Sequence, residues 1–286
     1  MSSKKYAVFT MDVEAFYDAK CIRELGVKTD VSLLDGLDEY MSILDKHGIK
    51  STLFTVGRLA PKIADQLKGY LAQGHRLALH NYEHIEPLDI SPELFRKQVK
   101  RAKQHLGKIF DTEIQGFRAP FFSMDTERLE IIRDLGFRYD SSHIGTVRDA
   151  VSMDNFKKVR EGIFHEDGFY EFELNKQKLM GIPFPISGGG YVRMCQWDVM
   201  RSLIRKHIRT CDYYVFYLHP FEMTRQKVPV CRKLAPWDQI YLSAGLKSYR
   251  KKVEQIILML KEADYQFVTF EELTEIMNTD RACNPA

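Results

Sequence analysis

The first strand-like run of the chain, Tyr6 to Thr10, leads into Met11-Asp12-Val13-Glu14. If it stays extended, the two-residue period of a strand puts Asp12 and Glu14 on one side while Val13 faces packing. Two carboxylates would then share one cavity, although an isolated D-x-E is more often a pair of turn caps. Further on, His80-Asn81-Tyr82-Glu83-His84 has the H-x-x-x-H spacing, which on one helical turn directs both imidazoles to the same side. Glu14 completes a triad with His80 and His84, two neutral imidazoles and a carboxylate, leaving positions open for water and substrate. Such a set suits one divalent cation, zinc first, with cobalt, nickel or manganese also possible.

Three more residues stand at the ends of β-prone runs, where α/β barrels keep their active sites. They are Arg118 in Phe117-Arg118-Ala119-Pro120-Phe121, Asp140 in Tyr139-Asp140-Ser141-Ser142, and His219 in Phe216-Tyr217-Leu218-His219-Pro220. Taken singly, each has a structural explanation: a salt-bridge arginine, a helix cap and a hydrogen-bonded core histidine. Gly188-Gly189-Gly190 lacks the lysine and Ser or Thr of a phosphate loop and reads as a tight turn. Tyr191, Arg193, Trp197 and Trp237 could offer faces to a sugar ring, but aromatic residues in such positions more often pack loops or core.

The elements that must position these residues alternate between short β-rich runs and amphipathic segments, the pattern of βα units around a parallel sheet or barrel. After the first strand, Leu33, Leu37, Tyr40 and Leu44 share one helical face that stops near Gly48. Ser51 to Val56 is a second strand, Leu59, Ile63 and Leu67 open a helix ended by Gly74, and Arg76 to Leu79 is the third strand. Ser91-Pro92-Glu93 starts a helix whose apolar face is Phe95, Val99, Ala102 and Leu106. Its basic outer face is ordinary solvation. Gln115 to Phe117, a helix from Asp125 to Leu135 and Phe137 to Asp140 follow. The rhythm breaks over residues 144 to 190, an elaborated loop region with β-like pieces. It resumes with a helix near Gln196 to Lys206, a strand from Tyr213 to Leu218, a helix carrying Val253, Ile256, Ile257 and Leu260, and a last strand at Phe267 to Phe270. No hinge-like linker divides the chain, so residues 1–286 read as a single catalytic domain with an inserted loop region at about 144–190.

The ordered set of motifs resembles the NodB-like polysaccharide deacetylases, carbohydrate esterase family four, over nearly the whole chain. That family carries a strand-end carboxylate pair, H-x-x-x-H, R-x-P, a later aspartate and L-H-P. Here Asp12/Glu14, His80/His84, Arg118/Pro120, Asp140 and Leu218/His219/Pro220 stand in that order. The resemblance implies an α/β fold, a distorted (β/α)7-type barrel, and metal-dependent hydrolysis of an acetamide. It makes Asp12 the base, held by Arg118, and His219 the acid, oriented by Asp140. It gives the backbone N–H of Phe121 to the oxyanion and Leu218 to the acetyl methyl; Tyr191, from its ring alone, is a further candidate substrate contact. Val13 departs from the family's commoner adjacent aspartates, and Asn81 replaces its Ser or Thr.

Residues 188–193 and 219–222 look most like a branch found among bacterial exopolysaccharide and surface-glycan deacetylases. An N-acetylated sugar intermediate of capsule, O-antigen (lipopolysaccharide) or exopolysaccharide assembly is therefore the expected substrate. The alternatives are a cyclic amidase of the same fold and a silent glycan-binding pseudoenzyme. The composition of the 286 residues excludes other classes. Lys plus Arg number 42 against Asp plus Glu 39, too balanced to point to nucleic acid or an anionic membrane surface. Five scattered cysteines give no disulfide framework. No window suggests a signal peptide or a membrane span, so a cytoplasmic protein without membrane insertion is expected.

Overall fold

A computed structural model describes residues 4–24, 31–144, 151–229 and 233–283. Strand β1 (Lys5–Val13) is followed by α1 (Lys20–Glu24) and α2 (Asp35–His47), then β2 (Ser51–Thr55), α3 (Ala64–Ala72) and β3 (Arg76–Leu79). Next come α4 (Pro92–Phe110), β4 (Gly116–Phe117), α5 (Thr126–Asp134) and β5 (Tyr139–Asp140). Five strands succeed one another: β6 (Lys157–Arg160), β7 (Ile163–Glu166), β8 (Phe169–Phe172), β9 (Lys176–Leu179) and β10 (Ile182–Pro185). The chain closes with α6 (Gly189–Met194), α7 (Trp197–Thr210), β11 (Tyr213–Leu218), α8 (Pro220–Met223), α9 (Pro236–Ser243), α10 (Leu246–Glu262), β12 (Tyr265–Phe267) and α11 (Phe270–Cys283).

The main sheet runs β11-β1-β2-β3-β4-β5-β8-β7-β6 and curls into the half-barrel of an α/β fold of the (β/α)7 type. From β11 to β8 every pairing is parallel. One side of β1 is shared by β12, which meets Lys5 to Ala7, and β2, which meets Phe9 to Val13. Alternation along β1 divides the core. Ala7, Phe9, Met11 and Val13 pack with the surrounding helices, whereas Tyr6 and Val8 join Phe54, Tyr139, Phe172 and Tyr213 on the inner face. Thr10 and Asp12 continue that inner face, so aromatic packing fills one end of the half-barrel and buried polar groups the other.

Local chemistry explains the boundaries. Gly48 ends α2 in the left-handed conformation, φ 67°, which a residue without Cβ adopts freely. Ser91 caps α4 by accepting from Leu94 N–H at 3.3 Å, with Pro92 in the first turn. The break in rhythm at 144–190 is structured: β8 pairs β5, β7 and β6 extend the sheet antiparallel, and β9–β10 form a separate hairpin. Residues 145–150 of that region, like Cys231, lie outside the described residues. The expected last strand is displaced, since β12 ends at Phe267 and Phe270 opens a helix. Cys21, Cys195 and Cys211 are free thiols. Among the described residues no helix is long and apolar enough to cross a membrane.

Candidate active site

Glu14, His80 and His84 converge just beyond the ends of β1 and β3, all three buried. The Nε2 atoms of the two histidines are 3.2 Å apart, and Glu14 Oε2 lies 2.5 Å from His84 Nε2 and 3.9 Å from His80 Nε2. The opposite ring nitrogens face backbone carbonyls: His80 Nδ1 is 2.8 Å from Arg118 O, and His84 Nδ1 is 3.1 Å from Asp18 O. A carbonyl accepts only, so both Nδ1 atoms carry the hydrogen and both Nε2 atoms present bare lone pairs. Two lone pairs and a carboxylate aimed at one point repel one another unless a cation stands between them. This donor set therefore fits a divalent ion, and the carbonyls behind the rings are the outer support that metal-binding histidines normally have.

For His80 the electrostatics agree with that state. Burial pushes His80 down to about 4, against the upward pull of Asp12 and Glu14, so the ring is neutral at pH 7. Burial would raise Glu14, but positive charge at His84, His219 and His80 overcomes it and holds the carboxyl at about 2, so Glu14 is an anion that needs a cation beside it, whether on the rings or between them. The H-x-x-x-H segment is not helical, contrary to the expected single helical turn. It is a bend entered through Asn81 at φ 57°, and the two rings lie with centroids 5.0 Å apart.

Asp12 stands on the inner face beside this group. Arg118, fully buried, donates to Asp12 Oδ1 at 2.8 Å and to Thr10 Oγ1 at 2.9 Å. Its other nitrogens reach Ser141 O and Ser141 Oγ, each at 3.0 Å, and its guanidinium lies 4.1 Å above the Phe54 ring. Every edge of the fork is thus used, which fixes the Asp12 carboxylate in one orientation. Phe121 follows Pro120 with φ 58°, and its ring sits 4.6 Å from that of His84.

His219 approaches from β11, with Nε2 4.0 Å from Glu14 Oε1. Its orienter is not the expected Asp140. Nδ1 lies 3.0 Å from Glu222 Oε2, which also accepts from the His219 backbone N–H at 3.1 Å. Glu222 is in turn held by the buried Arg193 at 2.7 Å, whose other nitrogens donate to Ala244 O and Tyr241 O. Burial would depress His219, yet Glu14 and Glu222 raise it to about 9, leaving it charged near neutral pH. Asp140, five strands from β11 in the sheet order, is used elsewhere. It accepts from Ser142 N–H and Ser142 Oγ, both at 2.9 Å, and Ser142 Oγ accepts from Ala119 N–H at 2.8 Å. Asp140 therefore braces the segment that carries Arg118.

Leu218 also differs from expectation. It is wholly buried with the helices on the outer side of the sheet, because alternation along β11 puts Tyr217 and His219 on the inner face. Tyr191 is half exposed on α6, its ring edge-on to Phe184. Glu222, Asp18 and Ser141 were not singled out from the sequence. A signal existed for Glu222, since His-Pro-Phe-Glu has the spacing of a helix N-terminus with an acid at the third position.

Comparison with known proteins sets this cleft in a family. Residues 30–139 match the polysaccharide deacetylase family model, and residues 141–275 match a domain of unknown function, DUF3473. Residues 30–139 thus carry the polysaccharide deacetylase pattern, and there the chain is similar to the NodB-like deacetylases. The two matched segments meet at β5, and the cleft draws on both, taking His80, His84 and Arg118 from the first and His219 and Glu222 from the second. A peptidoglycan deacetylase-like protein of Gibberella zeae is 29% identical over 116 residues, 38% of this chain and 33% of that protein, so the likeness spans about a third of its length. Among solved structures, one from Mycobacterium smegmatis designated a polysaccharide deacetylase covers 98% of this chain and 92% of its own, with TM-score 0.65 and 16% identity. A carbohydrate esterase family four pseudoenzyme from Bacillus anthracis covers 96% of this chain and 66% of its own, with TM-score 0.54 and 15% identity. At these identities the solved structures speak to fold.

Proposed function

We propose that this chain is a NodB-like deacetylase that hydrolyses the acetamide of an N-acetylated sugar, using one divalent ion, zinc first, held by Glu14, His80 and His84. The observation that carries the reading is the chelate-ready triad, with a carboxylate held by arginine on one side and a charged histidine on the other. Bound there, such an ion would supply Lewis acidity, easing deprotonation of water and polarising a carbonyl.

The chain's own residues do the rest. Asp12, oriented by Arg118, takes the proton of the attacking water. The backbone N–H of Phe121 donates to the developing oxyanion. His219, charged and held through Nδ1 by Glu222, gives its proton to the departing amine, without which an amide nitrogen is a poor leaving group. Splitting the two transfers between two groups lets each keep the protonation state that its step requires. The same proposal covers the setting: a glycan intermediate of surface polysaccharide assembly, handled in the cytoplasm.

A silent relative in the fold makes loss of catalysis the competing outcome. The test is release of acetate and free amine from N-acetylglucosamine oligomers by the metal-supplemented protein. Release by the parent chain, slowed at least about a hundredfold in Asp12→Asn, is expected; equal background from both would refute the proposal.

A further inference from the structure

The β9–β10 hairpin stands apart from the main sheet, and its tip has a composition that the fold does not explain. Leu179 pairs with Ile182, so Met180 and Gly181 are a two-residue turn, both at positive φ (51° and 84°). Asn or Gly fills the first of these places without strain, whereas methionine meets the left-handed conformation unfavourably. Met180 is nevertheless there, 95% exposed, beside Ile182 at 70%. Two large apolar side chains at the most projecting point of a hairpin lose on both backbone conformation and hydration unless something removes them from water.

The surrounding charge is mostly positive, with Glu173 paired to Lys176 and Asp198 paired to Arg201 at its borders. No Asp or Glu occurs from residue 174 to 197, and Lys178 is exposed on β9. Helix α7 packs on β9 and turns Arg205, Lys206 and Arg209 to solvent. The chain's near-neutral total conceals this concentration. A convex tip with two apolar side chains is too small for a stable protein interface, which needs about 800 Å² on each partner. It suits a fluid layer into which side chains can dip while cations meet headgroups. We propose that the β9–β10 tip and the outer face of α7 dock the protein on an anionic lipid bilayer, as a peripheral contact and not a span. This proposal does not depend on the deacetylase reading.

The test is co-sedimentation of the full chain with vesicles of phosphatidylcholine alone or mixed with phosphatidylglycerol. Binding to the mixed vesicles, weakened by salt, is expected. The double substitution Met180→Asn and Ile182→Thr should lower the affinity about a hundredfold or more, from the lost burial of two apolar side chains. Both replacements suit their backbone positions, so an unchanged or raised melting temperature separates lost docking from lost folding. Arg205→Glu with Arg209→Glu should abolish the preference for phosphatidylglycerol. No binding to either vesicle, binding unaffected by the tip substitutions, or a self-associated form that those substitutions dissociate would each overturn the proposal.

Discussion

Replacing Glu222 by glutamine removes the charge that faces His219 Nδ1 and keeps a hydrogen-bond acceptor of nearly the same shape. The contact is 3.0 Å long and the Glu222 side chain is fully buried. A unit charge at about 4 Å in an effective dielectric of about 20 interacts with about 4 kcal/mol, of which the amide oxygen's hydrogen bond returns a part. A net loss of about 2–3 kcal/mol corresponds to a drop of about two pKa units in His219. His219 stands at about 9, so the substitution brings it to about 7. A general acid must be protonated to work, and activity is lost as pH rises through its pKa. The alkaline limb of the pH–rate profile for acetate release should therefore move down by about two units, with activity nearly kept below the new limb. The variant also leaves Arg193 buried with only carbonyl partners, at a cost to stability of about 3 kcal/mol, so rates must be read below its lowered melting temperature. An alkaline limb that stays in place would refute the assignment of Glu222 to His219.

Asp12→Asn should lower turnover by about 10²–10⁴, because the base is lost, and should also cost about 3 kcal/mol of stability, because buried Arg118 keeps only neutral partners; steady-state kinetics below the lowered melting temperature and thermal unfolding check this. Gly36 lies in the first turn of α2, where an added Cβ would fall 1.8 Å from Pro220 O, so Gly36→Ala should destabilise the protein by about 1–3 kcal/mol in denaturant titration. Asp140 and Glu171 are buried side by side, and burial raises both, Asp140 to about 6. A raised carboxyl binds a proton in the folded state that the unfolded chain has released. The stability it confers is complete below the ordinary carboxylate range and is lost as pH rises through about 6. Asp140→Asn should flatten that fall, and a slope unchanged from the parent chain would count against the paired carboxyls.

Much of the fold was legible because burial imposes periodicity. β11 matches its apolar run residue for residue, β3 likewise, and α4 begins where Ser91-Pro92 signals a cap. The end of the chain was misread because Phe267 to Phe270 is β-prone by composition, while Thr269 forms reciprocal caps with Glu272 that start α11. In the site, residue types and spacing pointed to the triad, and the family resemblance supplied the pairing of Asp12 with Arg118. Backbone geometry was hidden, since the two histidines meet outside a helix, across a bend entered through Asn81 at an unusual φ. The partner of His219 was hidden for another reason. A distant aspartate competes poorly with a glutamate three residues away, which the start of α8 already turns back toward the ring.

The central claim is that Glu14, His80 and His84 together hold one cation, and the most direct test is metal content by elemental analysis after zinc supplementation and desalting. About one zinc per chain is expected in the parent protein and in Asp12→Asn, and none in Glu14→Ala or His84→Ala with the fold retained by circular dichroism. Zinc retained by both Glu14→Ala and His84→Ala, or absent from the folded parent protein, would contradict it.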